Sequence, residues 1–169
     1  MARPTSTPTS APTSAPATNA VVGQQPFEDP QTGIAFQYPS DWQPVPNSKS
    51  KLELTTPTGG QFALDIPAIP AWAAGMIPLD GVQKGYIDDT KKRMPDAVVT
   101  NLTGPAIQNC RQCRVKLTGH IDGKPMVDEA IMIAHTSKLF ILSIDCEEPS
   151  YPQMHAELDV ILSSLRWTK

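Results

Sequence analysis

Two short runs constrain this chain most, Ala130-Ile131-Met132-Ile133-Ala134 and Leu139-Phe140-Ile141-Leu142, with only residues 135–138 between them. Neither is long enough for a free-standing helix, and neither shows a helical period. Along a strand, successive side chains point to opposite faces. A strand apolar at every position therefore needs cover on both faces of its sheet. The short link makes the pair antiparallel, so the chain must place a packing layer on each side of an antiparallel sheet.

The remaining pattern supplies the layers. Residues 33–38 alternate Ile34, Phe36 and Tyr38 against Ala35 and Gln37, a strand with one stronger face that ends at Pro39-Ser40-Asp41. Leu52 and Leu54, then Phe62, Leu64 and Ile66, flank Thr58-Gly59-Gly60 as a hairpin. Residues 79–94 read as a helix with Leu79, Val82, Tyr86 and Met94 on one stripe; Asp80 and Gln83 have capping-box spacing, and Pro95 stops it. A strand over 98–102 and three antiparallel strands between 106 and 146 follow, with turns at 119–124 and 135–138; Asp122-Gly123 is the hairpin signal. Ser150 and Gln153 are expected to cap a last helix whose stripe holds Tyr151, Met154, His155, Leu158, Ile161, Leu162 and Leu165. The fold class is α+β: an αβα sandwich with a central antiparallel sheet covered by helices.

The phrase Phe36-x-Tyr38-Pro39-x-x-Trp42 and the ending Ile161-Leu162-x-Ser164-Leu165-Arg166 resemble the PsbP-like superfamily, as does the element order. The resemblance spans about residues 27–168. It implies an αβα sandwich acting by binding rather than catalysis, as in the extrinsic photosystem II subunit, a Ran-binding nuclear import regulator and bacterial secreted proteins or lipoproteins. It implies structural roles for Phe36, Tyr38, Pro39 and Trp42, the last three fixing the turn after the first strand and plugging a sheet edge. Photosystem- or Ran-contact motifs are not seen, and fold does not deliver function.

Seventeen of the first twenty residues are Ala, Pro, Thr or Ser, with Pro at positions 4, 8, 12 and 16. Such a segment lacks the apolar surface to offset ordering, and its prolines favour an extended spacer. Residues 1–26 are read as a disordered linker and 27–169 as one domain. A spacer suggests a stalk, hence an extracytoplasmic module with a signal, lipid anchor or other domain ahead of Met1. The net charge is −3 and Arg3 is the only charge in the tail. A mildly acidic domain has no electrostatic footprint for nucleic acid. No apolar run is long enough to cross a bilayer. Asn101-Leu102-Thr103 matches the glycosylation sequon.

The candidate sites divide into chemistry and surface. Cys110 and Cys113 form a CxxC, but within a strand their side chains point to opposite faces. A redox CxxC instead opens a helix, which lowers the thiol pKa. Structural cysteines, including a possible Cys113–Cys146 disulfide, are the preferred reading; a thiol-redox or zinc module using Cys110, Cys113 and Cys146 is the alternative, zinc needing a fourth ligand such as His120 or His135. His155 lies in an apolar stripe and reads as a packed or flanking residue. Asp145, Glu147 and Glu148 precede a helix and read as dipole partners. Asp128 and Glu129 are expected on opposite faces near a strand end. The surface candidate is residues 66–79, fourteen residues without a charge and with three prolines. Ile69, Trp72, Met76 and Ile77 there, together with one sheet edge, suit a contact with a protein partner or small ligand at the cell envelope; the competing reading is a loop folded back to cap the core. No catalytic residues, cofactor or metal are assigned.

Overall fold

The computed structural model describes residues 23–70, 76 and 78–169. The chain order is β1 (Gln24–Glu28), β2 (Ile34–Pro39), β3 (Gln43–Pro44), β4 (Leu52–Thr55), β5 (Gln61–Asp65), α1 (Leu79–Arg93), β6 (Val98–Leu102), β7 (Arg111–Ile121), β8 (Lys124–His135), β9 (Lys138–Glu147), α2 (Tyr151–Ser164) and β10 (Arg166–Trp167). Seven strands form one antiparallel sheet in the order β3-β4-β5-β9-β8-β7-β6. A smaller sheet has the order β1-β2-β10. The architecture is α+β, as the two-sided apolar strands require.

β8 is the pillar. From Val127 to Ala134 every residue is buried. Ile131 and Ile133 join one core with Phe140, Leu142, Ile144, Leu158 and Ile161, beneath α2 and the small sheet. Ala130, Met132 and Ala134 join a second core with Val115, Leu117, Leu139, Leu79 and Met94, beneath α1. The β7–β8 turn is Asp122-Gly123, both with positive φ (51° and 77°), and tighter than the 119–124 expectation because β7 continues to Ile121. This is the left-handed pair that a two-residue hairpin needs.

β2 does not enter the large sheet. It pairs with β1 and β10 and packs its Phe36 against Phe62 of β5, with ring centroids 6.1 Å apart. Trp42 lies 5.6 Å from Phe62 and is 1% exposed, so it fills the interior between the sheets rather than an edge. Its backbone N–H donates to Pro39 O (3.2 Å), closing the turn. At the other end of β2, Trp167 of β10 stacks face to face on His135 (3.8 Å) and donates its indole N–H to Gln108 O.

Several local expectations need correction. Pairing begins at Gln24, so a domain boundary at residue 27 falls inside β1. Neither helix carries the expected cap. Pro78 precedes α1 with no side-chain cap, Asp80 lies in the first turn, and Gln83 donates to Asn101 Oδ1 of β6 (2.8 Å). Ser150 already has helical φ/ψ because residues 148–150 form a 3-10 turn leading into α2, and Gln153 donates to Glu157 instead. Asp128 and Glu129 do lie on opposite faces, but well inside β8, at 3% and 0% exposure.

If Trp42 ties the small sheet to the large one, Trp42→Ala should destabilise the domain by about 3–5 kcal/mol. Val98→Ala, at a residue 64% exposed, should stay within about 0.5 kcal/mol. Paired denaturant titrations check this; equal midpoints would contradict it.

Candidate functional site

A helix is about 10–12 Å across with its side chains, and strands lie about 4.8 Å apart. One helix thus covers about two strands, and α1 sits on β7 and β8. On the same face, no helix among the described residues lies over β9, β5 and β4. On that face β9 begins apolar, with Leu139 and Ile141 in the α1 core, and then turns polar at Ser143 and Asp145; β5 carries Gln61, Ala63 and Asp65 and β4 carries Glu53 and Thr55, placed by the registers Ser143↔Ala63↔Glu53 and Asp145↔Gln61↔Thr55. The other face has the small sheet as extra cover, and its strands are apolar there.

Three clefts lie along this half: two share lining residues and form a trough beside α1, and the largest stands at the end of β5 and β9 against the β1–β2 turn, with no residue in common with them. The largest, about 750 Å³, lies among Asp29, Thr32, Lys51, Asp65, Ile66 and Ile141. The middle one, about 280 Å³, has Ala63 and Ser143 among its lining, with Glu53 on one side and Tyr86 and Arg93 on the other. The third, about 410 Å³, shares Gln61, Arg93 and Asp145 with it and continues to Lys124 and Glu147.

The charges along the trough hold one another in place. Arg93, in the last turn of α1, forks between two carboxylates: Nη2 donates to Asp128 Oδ2 (3.0 Å) and Nη1 to Asp145 Oδ2 (2.9 Å). Tyr86 O–H donates to Asp128 Oδ1 (2.6 Å). Burial pushes the Asp128 carboxyl up from 3.8 to about 6, with help from the Asp145 charge, against the lowering effects of Tyr86 and Arg93. At the largest cleft, Asp29 is also buried, but bonds from Thr32, Lys51 and the Gln31 N–H outweigh burial and hold its carboxyl below the usual range. Glu147 pairs with exposed Lys124 (3.0 Å).

The other face carries a clamp. Glu129, fully buried, accepts bonds from Arg114 Nε, Tyr151 O–H (2.7 Å) and His155 Nδ1 (2.8 Å). Arg114 Nη1 reaches Asp159 (2.7 Å). These bonds tie α2 to β7 and β8. His155 is therefore a partly exposed clamp residue, flanking the apolar stripe rather than packed within it.

The cysteines are free and scattered. Cys110 just precedes β7 and packs toward the α2 core; Cys113 packs toward the α1 core. Cys113 pairs with Met132 and Cys146 with Val127, five residues along β8. That is roughly 17 Å at strand rise, on opposite faces, so a Cys113–Cys146 disulfide is excluded by geometry. Burial raises all three thiols, Cys146 to about 12, opposite to what a reactive thiol needs. Among the described residues no group of three His, Cys, Asp or Glu side chains could hold a metal ion. His120 instead pairs with Asp96 (2.7 Å), and His135 Nδ1 lies 3.0 Å from Asn109 O.

Of the four surface candidates, Met76 is 79% exposed and Ile69 is partly buried against the α1 core. Trp72 and Ile77 lie outside the described residues. The segment leaves β5 at the 750 Å³ cleft, which Ile66 and Pro67 help to line, and reaches α1 at Leu79. The trough itself had a faint sequence signal: the outward positions of β4 and β5 are polar where those of β8 are apolar.

No family model matches the sequence, and no curated protein matches it. Solved structures do. Cyanobacterial PsbP (CyanoP) from Synechocystis superposes with a TM-score of 0.61 at 13% identity, covering 91% of this chain and 98% of that one. The fold is PsbP-like. The Saccharomyces cerevisiae Ran-binding protein Mog1p gives 0.59 at 9% identity, with 88% and 97% covered. Mycobacterium tuberculosis LpqN, involved in cell envelope biogenesis, gives 0.54 at 14%, with 89% and 94% covered. At these identities the PsbP-like likeness establishes architecture and leaves the site to be argued from its own residues. Among the described residues no helix is long and apolar enough to cross a membrane.

Asp128 gives a pH test. Its folded-state pKa lies above the unfolded one, so between about pH 4 and 6 the folded chain binds the extra proton and stability falls as pH rises through that window. At about 1.4 kcal/mol per unit, the effect is on the order of 3 kcal/mol. Asp29 acts oppositely, its contribution being lost as pH falls below about 4. Asp128→Asn should flatten the stability profile between pH 4 and 7; a mutant profile parallel to wild type would contradict the assignment.

Proposed function

We propose that this chain is a non-enzymatic interaction module working outside the cytoplasm, presented on the Pro/Thr/Ser/Ala-rich segment ahead of β1 as a stalk. It receives a protein partner or small ligand in the trough beside α1 and on the adjoining segment 66–79, through Ile69, Trp72, Met76 and Ile77. The observation that carries this reading is the half-covered sheet face. Its charges are fixed by internal pairs, so the surface is rigid before binding, which lowers the ordering cost of association. From the largest cleft the chain leads to Met76, an exposed apolar side chain of the kind that anchors contacts. Two architectural neighbours are named for binding Ran and for involvement in envelope biogenesis, which fits an interaction role and an envelope setting.

A pull-down from the cell-envelope fraction tests this with wild type beside Trp72→Ser and Met76→Ser. A specific partner should be captured by wild type and reduced about tenfold or more by at least one variant, the loss typical of an interface anchor. Equal capture by all three would move the site off this segment.

A further inference from the structure

We propose that β6 is a self-association edge, through which two copies of this chain pair antiparallel about a two-fold axis at Thr100. Three of the four sheet edges are blunted. β3 and β10 are two residues long, and β1 carries Pro26 at its centre. Short length and proline are the devices by which edges avoid pairing. β6 has neither: Val98-Val99-Thr100-Asn101-Leu102 is a five-residue edge without charge, proline or glycine. Among the described residues it pairs only with β7.

Among the described residues, the chain around β6 leaves that edge clear. Asn101 is held from the α1 side by Gln83. Beyond Leu102, Gly104 lies against the Arg114 guanidinium and Ile107 enters the core under α2, so the chain turns inward rather than along the edge.

The side chains are self-complementary under the two-fold. Val98, Thr100 and Leu102 share the α2 face, since their partners on β7 are Thr118, Lys116 and Arg114. Antiparallel pairing centred on Thr100 sets each Val98, 64% exposed, opposite Leu102 of the other copy. Thr100 then faces its own equivalent, and Val99 faces Asn101. Apolar and Thr–Thr cross-strand pairs are favourable, and no like charges oppose each other. On β7 the like charges nearest the axis, the two Lys116 side chains opposite Thr100, would be three strand spacings apart, roughly 14 Å, beyond the screening length of about 8 Å. Each Lys116 also leans over its own Tyr151 ring (5.2 Å). The result is an isologous contact that closes as a dimer; with five residues a side it is small and exchanges rapidly.

Sedimentation equilibrium of the full chain across a concentration series tests this. Wild type should rise from monomer mass toward twice that mass. Thr100→Lys puts two ammonium groups opposite each other and should remain monomeric with an unchanged melting profile. Thr100→Cys, treated with a short bis-thiol crosslinker, should give a covalent dimer that wild type, with the same three native cysteines, does not. A wild type monomeric throughout, a dimer that folded Thr100→Lys leaves intact, or no crosslink specific to Thr100→Cys would each overturn the proposal.

Discussion

Everything in this molecule follows from the two-sided burial of β8. Once one strand is apolar on both faces, the sheet needs a layer above and a layer below. Among the described residues there is one α-helix for each face, and a helix is only about two strands wide. On one face the shortfall is made good by the small sheet, with Phe36 and Trp42 driven against Phe62. On the other, the described residues supply only α1 and Ile69, and the far part of β9 together with β5 and β4 turns polar side chains outward. The trough is the geometric remainder of that unequal cover.

The buried charges divide along the same line. Glu129 faces the covered side, where its bonds lock α2 onto the sheet. Asp128, the next residue, faces the other way and is locked by Tyr86 and Arg93 at the edge of the trough. One residue step along β8 thus separates a structural clamp from a wall of the candidate site.

Much of this was readable beforehand. The double-faced runs gave the sandwich, Asp122-Gly123 gave the hairpin, and the phrases around Trp42 and Leu165 pointed to the PsbP-like frame. β1, β3 and β10 were not readable: Gln24–Glu28 has no strong alternation, and two-residue strands carry no period. The helix caps failed because Pro78 and the 3-10 turn at residues 148–150 set the entry geometry without a side-chain cap. The clamp around Glu129 was hidden because its members lie on β7, β8 and α2, and single-sequence spacing cannot join them. The trough was missed because it depends on where α1 stops across the sheet, which is a packing result.

We place the contact on the uncovered half of the α1 face. The most direct measurement is site-specific photo-crosslinking in the envelope fraction, with a photoreactive residue at position 67, on the lip of the largest cleft, and another at position 160, on the exposed side of α2. The account predicts a discrete adduct from position 67 and none from position 160. An adduct from position 160 alone would place the contact on the opposite layer and contradict it.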